Sequence, residues 1–142
     1  MISVVLPTYQ EAKNLPLLIP QIHQVLQSFN YEIIVVDDDS QDGTEDYCSD
    51  LANEYPLRLI SRRGERGLAT AVLTGFDEAK GEYLVCMDAD HSHPPELIPK
   101  MIKELKSNAE FVLASRYISG AQTHENWSFL RKLNSLIPTL LT

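Results

Sequence analysis

Short runs of aliphatic and β-branched residues alternate along the chain with segments whose apolar positions recur every three or four residues. The first run, residues 2–6, is followed by Pro7, which predicts the end of a strand. Beyond it, Leu15, Leu18, Ile22, Val25, Leu26 and Phe29 share one face of a helix. Asn14 stands where an N-cap is needed, and Pro16 falls in the first turn, where a missing N–H does no harm; Pro20 lies deeper and predicts a bend. The second run, residues 33–36, is apolar without alternation, the pattern of a strand covered on both faces, as in parallel sheets. The alternation continues with helical patterns near 44–54, 68–79 and 95–106, and strand patterns at 57–60, 83–87 and 111–114. Five short strands interleaved with helices predict an α/β fold with a doubly wound, mostly parallel sheet. Residues 129–142 read as an amphipathic helix interrupted by Pro138 and ending without a cap, so the chain is expected to stop partway into a larger domain.

Composition narrows the function classes. The chain of 142 residues is long enough for one domain with a real core, and 44% apolar with 23% charged residues is ordinary for a globular protein. Twelve basic residues against 20 acidic ones give a net charge of -8, with no basic run, so no nucleic-acid partner is expected. Cys48 and Cys86 match no metal or redox spacing; they are expected as buried small apolar residues in a reducing compartment. No secretory-signal pattern precedes the first run, and no apolar stretch approaches the ~20 residues of a membrane span.

In an open α/β sheet the residues just beyond the carboxyl ends of the strands meet the ligand. Here they are Pro7-Thr8-Tyr9-Gln10-Glu11, then the acidic run from Asp37 to Gly43, then Asp88-Ala89-Asp90. Crowded carboxylates repel unless a cation, a hydrogen-bond donor or protonation relieves them, and a divalent metal is the simplest relief. Asp88 and Asp90 could supply hard oxygen ligands to Mg²⁺ or Mn²⁺; the plainer alternative is that Asp88 ends a strand and Asp90 caps a helix. Asp37 and Asp38 could accept from ribose hydroxyls or a base N–H, Tyr9 could stack on a base, and Asp42 or Ser40 is expected to cap the following helix. For His93 a hydrogen-bonding role at a helix start is expected, and for His91 a solvent-facing one, since neither has a zinc-type spacing to another histidine. The loop from Arg62 to Gly67 could receive a phosphate at a helix N-terminus, or be solvated charge; it is neither a dinucleotide fingerprint nor a P-loop. Arg116, after the fifth predicted strand, could oppose a phosphate or pair with the acidic rim.

Taken in order, these segments resemble glycosyltransferase family 2, and within it the dolichyl- or polyprenyl-phosphate mannosyltransferase branch. The resemblance runs through residues 5–15, 35–44, 66–71, Met87-Asp88-Ala89-Asp90, His93-Pro94-Pro95-Glu96 and Ala114-Ser115-Arg116-Tyr117. It implies a GT-A nucleotide-diphospho-sugar transferase fold, Rossmann-like with helices on both faces of the sheet, with residues 1–142 as the donor-binding N-terminal part of the catalytic domain. By position, Pro7, Tyr9, Glu11, Val36 and Asp38 look like nucleoside contacts. Asp88, Ala89 and Asp90 look like the family's Asp-x-Asp segment for metal and diphosphate, with Ser92 near the metal. Arg116 looks like the arginine that addresses phosphate, which with Asp90 completes the expected catalytic pair. His91 departs from the apolar residue common there.

The implied reaction is inverting transfer of a hexose, mannose from GDP-mannose, to a polyprenyl phosphate such as dolichyl phosphate, with Mg²⁺ or Mn²⁺ as cofactor. It belongs to glycolipid synthesis and protein glycosylation, and implies peripheral contact with the cytoplasmic face of a membrane. Transfer of glucose from UDP-glucose, another family acceptor, or a nucleotide-sugar-binding fragment without turnover are the alternatives. A phosphoacceptor receiver domain fits poorly, because Pro7-Thr8-Tyr9 stands where its acidic pair belongs and Arg116 where its lysine belongs.

Overall fold

The unbroken apolar runs become the centre of a four-stranded sheet. The computed structural model describes residues 1–115, so Arg116, Tyr117 and the helix predicted over 129–142 lie outside the described residues. Strands β1 (Ile2–Thr8), β2 (Tyr31–Asp37), β3 (Leu57–Ser61) and β4 (Tyr83–Cys86) are all parallel and lie in the order β3-β2-β1-β4. Every residue of β1 and β2 is buried, which is why neither shows polar alternation. The chain divides into two units, Met1–Val112 and Leu113–Thr142, and the whole sheet belongs to the first.

Helix α1 (Leu15–Leu26) buries Leu15, Leu18, Ile19, Ile22 and Leu26. Together with Cys48 of α2 (Thr44–Leu51) and Ile98 and Ile102 of α4 (Ile98–Lys106), they cover the face of the sheet formed by Ile2, Val4, Leu6, Ile33 and Val35. Each such fully buried aliphatic side chain contributes about 1.5–3 kcal/mol. Helix α3 (Leu68–Asp77) covers the opposite face through Ala71 against Val5, Ile34 and Val36. The handedness of parallel crossovers dictates this division. The chain steps from β1 through β2 to β3 in one direction, then returns past both to β4, and a right-handed return must pass over the other face. Gly75 lets α3 lie close to the sheet, since a Cβ there would sit 2.3 Å from Val5 Cγ1.

One proline behaves differently from expectation. β1 runs through Pro7 instead of stopping before it. Even-numbered residues of β1 bond toward β2, as in Ile2 N–H to Asn30 O, while odd-numbered ones face β4, as in Met87 N–H to Val5 O. Pro7 therefore faces β4 beyond the last register pair, Val5 with Cys86, where its missing N–H breaks no ladder bond. Pro20 lies inside α1, which continues through it.

The predicted fifth strand does not form: residues 111–115 are irregular, with Phe111 and Leu113 79% and 75% exposed, and no strand among the described residues pairs with this β-prone run. Cys48 is buried as expected, and burial together with the nearby Asp37 charge pushes its thiol up to about 12, whereas Cys86 is exposed. At the amino end of the sheet the buried Glu32 accepts from Ser3 Oγ at 2.7 Å, the Lys80 N–H at 2.7 Å and Arg58 Nε at 3.2 Å, tying the loop before β4 to the two central strands.

Candidate functional site

The strand order reverses between β1 and β4, and the loops beyond the carboxyl ends of β1, β2 and β4 contain the residues singled out from the sequence. Among the described residues, five other than glycine have positive φ, and four of these lie in those loops: Gln10 at 61°, Asp39 at 56°, Gln41 at 51° and His91 at 60°. Side chains other than glycine sit there at a cost of roughly 1–3 kcal/mol, sustained only where surrounding bonds enforce it.

Those bonds are present. Asp37, 1% exposed, accepts from the Ser40 N–H at 2.9 Å and from the Ser40 hydroxyl. The Thr8 hydroxyl lies 3.2 Å from both Asp37 Oδ1 and the Val36 carbonyl. Ser40 Oγ in turn accepts from the Gln10 N–H at 2.8 Å. Asp42 accepts from the Ala12 N–H at 3.1 Å and from both the N–H and hydroxyl of Thr44, so it serves the first turn of α2 while Gly43, at φ 92°, holds the N-cap position. Asn14 takes the N-cap position of α1 without a side-chain cap bond, and its amide instead donates to the Glu11 carboxylate.

Asp38 and Arg62 form a pair buried to 5% and 6% exposure. Arg62 Nε and Nη2 both lie 2.7 Å from Asp38 Oδ1, Asp38 Oδ2 accepts the Gly67 N–H at 2.8 Å, and Arg62 Nη2 donates to the Gly67 carbonyl at 3.2 Å. The ring closes the loop against the end of β2. Burial opposes the Asp38 charge, but the bonds from Arg62 and Gly67 and the charges of Arg62 and Arg66 outweigh it and hold the carboxyl below its usual range. The same pairing raises Arg62. This changes two expectations. Arg62 is not solvated charge, and the Gly67 N–H at the start of α3 is spent on a carboxylate instead of awaiting a phosphate; Arg63 and Arg66 remain exposed. Sequence reasoning missed Arg62 as the partner of Asp38. The signal was its place one residue beyond Ser61, the register partner of Asp37.

Tyr9, 41% exposed, has the Arg66 guanidinium 4.3 Å over its ring, a cation–π contact on the surface where a base was expected. Val36 is fully buried and Pro7 is buried, so neither side chain is open to a ligand; Glu11 is half-buried.

Donors thus relieve the acids after β2, and the acids after β4 stand apart from them. Asp88 is about half exposed, Asp90 is exposed and Ala89 between them is buried. Asp90 Oδ1 accepts the Ser92 N–H at 2.9 Å, and His93 Nδ1 accepts the Asp88 N–H at 2.9 Å, with His93 Nε2 3.8 Å from Asp88 Oδ2. His93 makes a hydrogen bond, as expected, but to the end of the strand instead of a helix start. His91 is not simply solvent-facing: its Nε2 is buried and unpartnered. Among the described residues no three His, Cys, Asp or Glu side chains converge on a metal position. Two hard carboxylates on one turn nonetheless suit Mg²⁺ or Mn²⁺, which retain waters and ligand phosphates. A cavity of about 260 Å³ lies by Asp39, Gln41, Glu45 and Asp46, and its acidic lining would repel a diphosphate.

The depressed carboxyls predict a pH dependence. Glu32 and Asp42 are lowered like Asp38, with hydrogen bonds outweighing burial in each. A carboxyl whose folded value lies below its unfolded one stabilises fully above the unfolded value, near pH 4, and this contribution is lost as pH falls toward the folded value. The urea midpoint is expected to be flat above about pH 5 and to fall steadily below it, measured from pH 7 to 3.

A family model described as glycosyl transferase family 2 matches residues 3–141. The chain belongs to that family. The dolichol-phosphate mannosyltransferase of Pyrococcus furiosus is 48% identical over 134 residues, 94% of this family 2 chain and 38% of that protein. The dolichol-phosphate mannosyltransferase of Saccharomyces cerevisiae is 43% identical over 137 residues, again 94% of this chain and 51% of its own length. The chain therefore spans between about a third and a half of these relatives. Among solved structures, a mannosyltransferase from Pyrobaculum calidifontis in complex with GDP-Man and Mn²⁺ superposes with a TM-score of 0.57 at 34% identity, covering 63% of this chain and 27% of that one. Glucosyl-3-phosphoglycerate synthase from Mycobacterium tuberculosis, at TM-score 0.61 and 24% identity over 74% of this chain and 39% of that one, shares the fold. The fold is GT-A, a Rossmann-like, mostly parallel sheet with helices on both faces.

Proposed function

We propose that residues 1–142 form the donor-binding part of an inverting hexosyltransferase that moves mannose from GDP-mannose to a polyprenyl phosphate such as dolichyl phosphate. The observation that carries this reading is the Asp88–Asp90 turn beyond β4, set beside the strand-order reversal, in a chain 48% identical to a dolichol-phosphate mannosyltransferase. Support for the donor and for a divalent ion comes from the Pyrobaculum neighbour solved with GDP-Man and Mn²⁺.

In this reading Tyr9, Glu11 and the backbones of Pro7, Val36 and Asp38 bind the nucleoside. Asp88 and Asp90, with the Ala89 backbone and Ser92 beside them, would hold Mg²⁺ or Mn²⁺ together with the diphosphate, and a divalent ion there would supply positive charge toward the leaving diphosphate. Arg116 adds a positive charge to the same phosphates. An oxygen of the acceptor phosphate, anionic at neutral pH, attacks the anomeric carbon as the bond to the GDP oxygen breaks, so the protein has no strong base to supply. The chain's contribution is to orient the donor and keep its leaving group in line.

A polyprenyl acceptor puts the reaction at a membrane surface, on the cytoplasmic side where nucleotide sugars are made. No helix among the described residues is long and apolar enough to cross a membrane. The test is transfer of radiolabelled mannose from GDP-mannose to dolichyl phosphate in detergent, with UDP-glucose as the competing donor. Labelled lipid formed with Mn²⁺ and lost with EDTA is the expected result. Donor binding without any product would mean that this chain is a binding part alone, and glucosyl lipid would reassign the sugar.

A further inference from the structure

The Asp88–His93 turn is closed by one side chain. In β4 the odd-numbered amides face β1: Tyr83 N–H donates to Met1 O and Met87 N–H to Val5 O, both at 3.2 Å. The even-numbered amides point the other way, and among the described residues β4 is the last strand of the sheet. The Asp88 N–H thus leaves the sheet on the side away from β1, one residue past the end of the ladder. His93 Nδ1 meets it at 2.9 Å, which requires that nitrogen to be unprotonated. The imidazole edge does what the next strand's carbonyl would do, and it fixes the residue that carries the first carboxylate of the turn. The bond spans a left-handed residue, His91 at φ 60°, and encloses the second side-chain bond, Ser92 N–H to Asp90 Oδ1. An unheld Asp88 amide would release both carboxylates from their common turn.

We propose that His93 is a positioning residue for the cation and diphosphate site: its Nδ1 sets the direction of Asp88, and what the position requires is a hydrogen-bond acceptor at the γ-branch, not an imidazole. The inference rests on the reading of Asp88 and Asp90 as the metal–diphosphate turn. Groups that orient metal ligands from outside the coordination sphere typically cost 10–100-fold in metal affinity when removed. Asn places Oδ1 at the same branch position as Nδ1 and accepts without being able to ligate as an imidazole does or to carry a proton.

The experiment titrates Mn²⁺ into the full chain with saturating GDP, read by the loss of the free-ion electron paramagnetic resonance signal, in wild type, His93→Ala and His93→Asn. Amide hydrogen exchange at Asp88 is followed in parallel. The expected result is a loss of 10-fold or more in Mn²⁺ affinity for His93→Ala, faster exchange confined to Asp88 and its turn, and recovery to within about 3-fold of wild type in His93→Asn. Should His93→Ala fail to fold, the Asn variant decides alone. Wild-type affinity in His93→Ala, or a His93→Asn loss of 10-fold or more, would overturn the inference, the latter by showing that the imidazole itself is needed. Wild type that binds no Mn²⁺ with GDP present would overturn the metal–diphosphate reading and this inference with it.

Discussion

Replacing Arg62 with Met is expected to cost about 3–5 kcal/mol of stability, a large share of what a domain of this size has. Arg62 is 6% exposed, and loss of its guanidinium leaves the carboxylate of Asp38, itself 5% exposed, with the Gly67 N–H at 2.8 Å as its remaining hydrogen-bond donor. An uncompensated buried charge is the expensive outcome; removing both charges is not. Arg62→Met combined with Asp38→Leu should therefore recover much of the loss, because the pair's own attraction largely offsets its desolvation. Urea unfolding at pH 7 checks this, with a lower midpoint and an unchanged slope for the single variant. A single variant within 1 kcal/mol of wild type, taken as an order-of-magnitude bound, would mean that water reaches Asp38 once the arginine is gone.

Asp90→Ala is expected to lower metal-dependent affinity for GDP-mannose by about 100-fold or more, with little change in stability because the side chain is exposed. The alanine also removes the acceptor of the Ser92 N–H, so the turn could loosen for reasons unrelated to a cation. Asp90→Asn separates the two effects. It keeps Oδ1 as an acceptor for Ser92 and removes the charge, so an equal loss in both variants identifies the carboxylate as the needed group. An Asn variant that binds donor like wild type would assign Asp90 to the turn alone, the helix-capping alternative in another form.

The central strands could be read from the chain because burial on both faces leaves no polar alternation to confuse the pattern: residues 33–36 lie inside β2 (Tyr31–Asp37); 57–60 also fall inside β3 (Leu57–Ser61), though only Leu57 of that strand is buried. Run 111–114 has the same local signal, yet pairing is a nonlocal property, and nothing among the described residues pairs with it. Pro7 illustrates the converse. Its tolerance depends on which neighbour its nitrogen faces and where that neighbour's pairing ends, neither of which is visible in the sequence. At the site, the residue types at the strand ends were legible, while their division of labour was not. Asp37, Asp38 and Asp42 are held by donors 24 to 30 positions away or by their own loop, as the separations of Arg62 from Asp38, Thr8 from Asp37 and Ala12 from Asp42 show. Asp88 and Asp90 sit on a separate turn, closed by His93, where Asp88 is about half exposed and Asp90 is exposed.

The most direct test of the account is calorimetric titration of GDP-mannose into the full chain with Mn²⁺, with Mn²⁺ replaced by EDTA, and with UDP-glucose as donor. The account predicts saturable binding of GDP-mannose that needs the metal and exceeds that of UDP-glucose. Equal binding with and without Mn²⁺, or no binding of either nucleotide sugar, would contradict it.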